Sequence, residues 1–261
     1  MENCYVIKIG GNIIDNDAAL QEFLVAFAGM PGKKILVHGG GKLATRLAEQ
    51  MGLPQQMVDG RRITDAETLK VVTMVYAGYI NKNIVARLQA LKCNAAGFSG
   101  ADGNLWLAHK RVVSGTDYGF AGDIDAANSA ALKAWLDQGL QLVIAPITHD
   151  GKGQLLNTNA DTIAQEIAKA CSAHYRVSLI YSFEKTGVLL DVEDESSVIP
   201  VLNAGYYAEL RAEKKIFAGM IPKLDNAFMA LGEGVHRVII GKGEHLSNLI
   251  TGKTGTTITN E

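Results

Sequence analysis

The sequence is short of several things that would assign it a class at once. Its 261 residues hold three cysteines, Cys4, Cys93 and Cys171, far apart and without a C-x-x-C pair. An odd count with that spacing excludes a disulfide framework and a zinc site, and the thiols read as small buried hydrophobes in a reducing compartment. Charge of one sign is also missing: 25 basic residues face 27 acidic ones, for a net charge of −2. No basic excess points to nucleic acid and no block of like charge forms a tail, although a local positive site would not show in the total. No apolar run is long enough to span a bilayer. The first strand-like run starts about four residues in and leaves no room for a signal peptide, so the expectation is a soluble cytoplasmic protein with no membrane partner. Fixed-period repeats and low-complexity segments are absent.

What is present is apolar material, 48% of the residues, enough for a sizeable core in one large domain or two lobes. Strand-like runs alternate with helical patterns. "CYVIKI" precedes a helical stretch from Asp17 to Gly29, and "PGKKILVHGGG" gives a turn, a strand and a glycine loop that opens a helix through Gln50. Thr64 to Leu91 reads as one long helix or two, with Gly78 the candidate break and Thr64 and Glu67 a capping box. "GLQLVIAPI" is a strand, "NTNADTIAQEIAKACSA" a cap and an amphipathic helix, and "YRVSLIYS" another strand. "MIPKLDNAFMALGEG" is a helix begun by Pro222, and "VHRVII" is the last clear strand. This alternation predicts an α/β fold with a largely parallel sheet. Val112–Phe120 and Gln154–Leu156 read as short hairpins or loops beside it, and Asp191–Ser197 as a solvated turn.

The chemistry sits in the loops. Lys8 lies inside an apolar strand, where an unpaired ammonium is costly. Gly10 and Gly11 follow that strand, and Gly39, Gly40 and Gly41 follow the next. Beyond the carboxyl ends of parallel strands, glycines let a ligand approach backbone amides, and the next helix offers its positive N-terminus. The "HGGGK" loop has three readings: a dinucleotide fingerprint with Asp59 near the ribose offset, an α/β-hydrolase oxyanion loop, or an anion site of another fold. No P-loop pattern occurs. The hydrolase reading rests on Ser99 in "GFSGA", which lacks the last glycine of a nucleophile elbow, and both of the first two readings leave Lys8 idle.

Other charged features need a purpose. Arg61 and Arg62 stand together before a capped helix, where one or both read as surface charge, but Arg62 lies beside the helix start, where a planar guanidinium can clamp a carboxylate bidentately. Asn157, Asn159 and Asp161 at spacing two supply a helix cap and polar groups facing one loop. "AGMIPK" gives Gly219, Pro222 and Lys223, the lysine placed in a first helical turn where it opposes the macrodipole unless an anion binds there. Two lysines, glycine amides and helix starts describe a phosphate site; an arginine and asparagines nearby describe a carboxylate substrate. Together they suggest phosphoryl transfer.

"VIKIGG", "HGGG", "GRRIT", "LNTNAD" and "GMIPK" occur in an order and at a spacing that resemble the amino acid kinase family, from Tyr5 to the closing "GTTI". The resemblance implies a three-layer αβα sandwich around a mainly parallel sheet of about eight strands, in a single domain with an acylamino-acid lobe over about residues 1–174 and an ATP lobe over about 175–261. It implies ATP with Mg2+, and as acceptor the side-chain carboxylate of an N-acylglutamate in arginine biosynthesis. Acetyl is the default acyl group and succinyl the alternative; a non-catalytic metabolite sensor on the same fold is the competing class. It assigns Lys8 and Lys223 to the transferring phosphoryl group and Asp161 to organising them. It assigns Gly40, Gly41, Arg62 and Asn157 to the substrate, Gly10, Gly11, Ser182 and Gly187 to the nucleotide, and it implies a homodimer. Free glutamate or aspartate would demand an acidic partner for its ammonium, and none is assignable. A carboxylate acceptor needs no general base, so His38 reads as a strand-end residue. The family's Thr/Ser-Asp/Asn-Val-x-Gly stretch is altered here to "YSFEKTG", with Phe183 where an acid or amide is usual.

Overall fold

The computed structural model describes residues 1–58, 60–216 and 220–260, together with the backbone but not the side chain of Pro222. Asp59 and Gly219, both singled out above, lie outside the described residues.

The first strand shows how the sequence builds the core. β1 (Asn3–Ile9) alternates, sending Cys4 and Val6 to one face of the sheet and Ile7 and Ile9 to the other, all fully buried. A short helix α1 (Gly11–Ile14) and the longer α2 (Asp17–Gly29) follow, then β2 (Lys33–His38) and α3 (Gly41–Gln50). Asn16 caps α2 by accepting from the Ala19 amide at 3.1 Å. Its far end is closed by Lys34, whose buried ammonium donates to the carbonyls of Phe27, Ala28 and Met30 at 2.9, 3.1 and 2.8 Å. Those oxygens make a cation tolerable in the interior and stand in for the hydrogen bonds that a helix end leaves open.

The chain next forms a small ribbon, β3 (Met57–Val58) with β4 (Arg61–Arg62), and then one helical rod. The rod begins as α4 (Ala66–Thr73), turns π-helical over Met74–Ile80, and resumes as α5 (Asn81–Ala90). Its cap is Asp65, accepting from the Thr68 amide at 2.7 Å, and not the expected Thr64–Glu67 box. Thr64 is instead fully buried, its hydroxyl donating to the Arg62 carbonyl. Gly78 does not break the rod; it lies inside the π-helical turn, where the pitch widens by one residue.

β5 (Ala95–Phe98) leads to a long hairpin, β6 (Trp106–Val113) and β7 (Thr116–Ala127), then α6 (Ser129–Asp137) and β8 (Gln141–Ile144). The stretch expected as one strand, "GLQLVIAPI", splits after Ile144, and β9 (Ile147–His149) leaves the main sheet. With β10 (Leu155–Thr158), the hairpin and β9 close a four-stranded barrel beside the sheet. The sequence marked the two hairpin segments but not their closure.

The last third alternates again: α7 (Ala160–Ser172), β11 (Arg176–Phe183), β12 (Val201–Asn203), α8 (Ala204–Ala212), α9 (Ile221–Gly232), β13 (Arg237–Lys242), α10 (Leu246–Ile250) and β14 (Thr256–Thr259). The main sheet has eight strands in the order β12-β14-β13-β11-β1-β2-β8-β5, parallel throughout except for the β13–β14 pair. One face packs on α6, α7, α8 and α9, the other on α2, α3, the rod and α10, which gives the expected αβα sandwich.

Candidate active site

Lys8 takes its place from the same alternation that buries β1. It follows Cys4 and Val6 on the face toward α7, one step from the strand's end. There its ammonium lies 2.8 Å from Asp161 Oδ1, a buried oxygen that takes no hydrogen bond from elsewhere. Asp161 is in the first turn of α7, and Asn159 fixes that turn by accepting from the amides of Asp161 and Thr162 at 2.8 and 3.2 Å. The spacing-two triplet therefore divides its labour: Asn159 caps, Asp161 pairs with the lysine, and Asn157 faces another cavity.

Beyond Lys8 opens a cavity of about 450 Å³. Gly10 and Gly11 line it from the β1 loop, and Ser182, Phe183 and Gly187 from the β11 loop; Lys223 enters from the first turn of α9. The two lysines singled out in the sequence thus share one cavity. A Cβ at Gly187 would come within 2.5 Å of Val198 and 3.1 Å of the Thr256 amide nitrogen, so that loop is packed too closely for a side chain, whereas one at Gly11 would meet only the movable Asp15 carboxylate, at 2.8 Å. Ser182 is buried with its hydroxyl unpartnered. Lys223 is exposed as a residue, yet burial around it lowers its pKa, with Lys8 pushing the same way and Asp161 and Glu184 opposing. Its ammonium lies 3.9 Å from the centre of the Phe183 ring. Val188, Leu189, Ile216 and Met220 give the cavity an apolar wall.

A second cavity, of about 180 Å³, is lined by Gly41, Arg61, Arg62, Tyr76, Asn157 and the start of α7 at Asn159 and Ala160. Arg62 is 6% exposed, and among the described residues no carboxylate pairs with it. Its guanidinium is held by neutral groups only: it donates to the side chain of Gln55, to the Gly41 carbonyl at 3.0 Å and to the Thr45 hydroxyl at 2.9 Å. A buried cation fixed in this way leaves its charge for a ligand. Asn157 donates to Thr64, which donates in turn to the Arg62 carbonyl, so one chain of hydrogen bonds ties the asparagine to the arginine. Two elements bridge the cavities. Gly41 lines the second and Lys42 the first, and α7 turns Asn159 to the second and Asp161 to Lys8 in the first.

Some expected members lie elsewhere. Gly40 lines neither cavity. Its φ of +144° requires glycine, and a Cβ there would sit 2.3 Å from Ile80, so it admits the π-helical turn against the loop. His38 is fully buried, bonded through Nδ1 to the Gly39 carbonyl oxygen and through Nε2 to Asn81, and burial lowers its pKa to about 4. It is neutral at pH 7 and faces neither cavity, as a strand-end residue should. The hydrolase reading fails at Ser99, whose amide and hydroxyl both donate to Asp102 at 2.6 and 2.8 Å in a local turn.

Sequence reasoning missed Tyr76 and Lys42, and gave Arg61 no task. Lys42 stood in plain view in "HGGGK"; Tyr76 had no signal, because only the π-helical turn aims it inward.

The model of the amino acid kinase family matches residues 3–242, and the chain belongs to that family. Among similar proteins is an acetylglutamate kinase of Cytophaga hutchinsonii, 55% identical over 251 residues, covering 96% of this chain and 95% of that one. Another, from Phocaeicola vulgatus, is 52% identical and covers 98% of each chain. An acetylglutamate kinase of Methanopyrus kandleri is 38% identical over 95% of this chain and 97% of its own. Among solved structures, the N-acetylglutamate synthase of Neisseria gonorrhoeae superposes with a TM-score of 0.79 at 23% identity, covering all of this chain, which spans 62% of the synthase. The carbamate kinase of Giardia does so with a TM-score of 0.69 at 12% identity over 99% of this chain and 98% of its own. These two likenesses concern the fold alone.

Proposed function

We propose that the protein transfers the γ-phosphoryl group of ATP to the side-chain carboxylate of N-acetyl-L-glutamate, forming N-acetyl-L-glutamyl 5-phosphate in arginine biosynthesis. The relatives named acetylglutamate kinase support the reaction. One structural observation carries it: a cavity holding two lysines and glycine loops meets, at the start of α7, a second cavity holding a buried arginine without an acidic partner. In this reading, residues up to about 174 bind the acylamino acid and those beyond supply most of the nucleotide site.

The acceptor is already ionised near neutral pH, so no residue has to remove a proton. The obstacle is the approach of two anions. Arg62 holds the substrate's backbone carboxylate by its fork, with Asn157 beside it, and so aims the side-chain carboxylate along α7 toward Lys8. Lys8 and Lys223 supply positive charge where it builds on the phosphoryl oxygens, and Asp161 keeps Lys8 pointed there. Gly10 and Gly11 bring backbone close to the phosphates, Ser182 and Gly187 line the nucleotide's path, and the apolar wall receives the base. Magnesium, when bound with ATP, would supply charge neutralisation on the phosphates. Among the described residues no cluster of three His, Cys, Asp or Glu gathers that could hold a metal ion. A homodimer in the cytoplasm is the setting we infer; among the described residues no helix is long and apolar enough to cross a membrane.

A second reading keeps the reaction and changes the acyl group. Arg61 lines the acceptor cavity and shares Asp123 with Arg111, two guanidiniums to one carboxylate, which suits a further carboxylate on a succinyl chain. Incubation with Mg-ATP, hydroxylamine and each N-acylglutamate decides between them: a hydroxamate is expected with the acetyl substrate, a stronger signal with the succinyl one would change the acyl group, and none with either would refute the reaction. Lys8→Ala and Lys223→Ala should each lower kcat by roughly 10²–10³-fold with little change in KM, and unchanged turnover would remove them from the mechanism.

A further inference from the structure

The two lysines of the phosphoryl cavity are held by opposite means. Lys8 has a carboxylate, Asp161, at 2.8 Å. Lys223, among the described residues, makes no ion pair and no hydrogen bond; its ammonium lies over the face of Phe183, 3.9 Å from the ring centre. Phe183 reaches this position through sheet register. β11 pairs with β1 so that Tyr181 lies opposite Lys8, and strand alternation sends Phe183, two residues on and the last of β11, to the same face beyond the final β1 pairing. The ring is half-buried, packs on the core beneath and lies 6.3 Å from the Tyr181 ring, and its backbone carbonyl accepts from Asn12 at 3.4 Å. It is therefore a fixed platform under a flexible side chain.

An acid at this position would also catch the ammonium, but it would cancel the charge that a phosphoryl group needs. An aromatic face attracts a cation through its quadrupole and leaves the net charge intact. We propose that Phe183 is a positioning residue for phosphoryl transfer, its ring holding the Lys223 ammonium in the cavity without neutralising it. The proposal rests on the phosphoryl-transfer reading above. The lowered pKa of Lys223 fits the same picture, since no anion is close enough to reverse the effect of burial.

The test separates charge from shape. Phe183→pentafluorophenylalanine keeps the ring's form and abolishes its negative face; Phe183→Leu removes the ring; Phe183→Trp restores a stronger one. We expect kcat to fall roughly fivefold in the first two and to be retained in the third, with KM for the acylglutamate unchanged and the thermal midpoint of the fluorinated protein equal to that of the parent. A fluorinated enzyme with parental kcat would overturn the proposal, and a loss confined to KM for ATP would make the ring a nucleotide contact instead. A second readout does not depend on turnover. In the unsubstituted protein the Lys223 ε-methylene protons should resonate upfield, shielded by the ring, and Phe183→Leu should abolish the displacement; its absence from the parent would overturn the contact itself. Failure of the kinase reading would show separately, as no hydroxamate from the unsubstituted chain.

Discussion

Charge placement separates the candidate site residues from those that merely carry charge. Lys8 was legible because an ammonium inside an apolar strand demands an explanation, and Lys223 because it opposes a helix dipole. Arg62 was singled out by its place beside a helix start; the fold separates it further from Arg61 by burying it among neutral acceptors and giving Arg61 a share of Asp123. Tyr76 was not legible at all, since its direction depends on a helical irregularity that leaves no mark in local composition. The arginine yields a sharp expectation. Arg62→Lys keeps one charge and loses the fork that Gln55, Gly41 and Thr45 hold in place. KM for the acylglutamate should rise by about 10- to 100-fold, the cost of a charged hydrogen bond or two, with kcat changed far less. Steady-state kinetics that show an unaltered KM would remove Arg62 from carboxylate recognition.

Among the elements, the junction between β2 and the helical rod is the least forgiving. Gly40 and the π-helical turn meet there with no room for a side chain, and His38 locks β2 to Asn81 at the first residue of α5. A rod of this length was readable from the apolar pattern, but its widened turn and its Asp65 cap were not, because Thr64 and Asp65 are equally good caps on paper and tertiary contacts claim Thr64. The histidine gives the junction a pH response. Burial lowers its pKa from 6.5 to about 4, so on acidification the unfolded chain takes up the proton first. The junction's contribution is therefore complete above about pH 6.5 and is lost as pH falls toward 4, by about 3 kcal/mol over that window. Urea unfolding at several pH values should show this slope in the parent and a shallower one in His38→Asn; equal slopes would place the proton uptake elsewhere.

For the molecule as a whole, the αβα order was readable from the alternation of patterns, whereas the barrel was not: its strands are short, and its closure depends on pairings such as Asn157 with Ala121 that no local signal encodes. The turn between α7 and β11, where we divide the two lobes, does not divide the sheet. β1 from one side and β11 from the other pair at its centre over six registered residues from Asn3–Arg176 to Lys8–Tyr181. The lobes should therefore unfold together. Both tryptophans, Trp106 and Trp135, report on the first lobe, so their fluorescence and the far-ultraviolet circular dichroism of the whole chain should give one coincident transition. Two separated midpoints would show that the lobes are independent.

That central pairing also sets a schedule for biosynthesis. The strand that carries Lys8 leaves the ribosome well before the neighbour that completes it, β11, which follows more than 160 residues later (Arg176 against Ile9). Until then β1 presents an open apolar edge on the side where β11 will dock, a template for any passing strand. At 5–20 residues per second that interval lasts roughly ten to thirty seconds. The same register that aims the lysine thus leaves one edge of the strand unpaired for that interval.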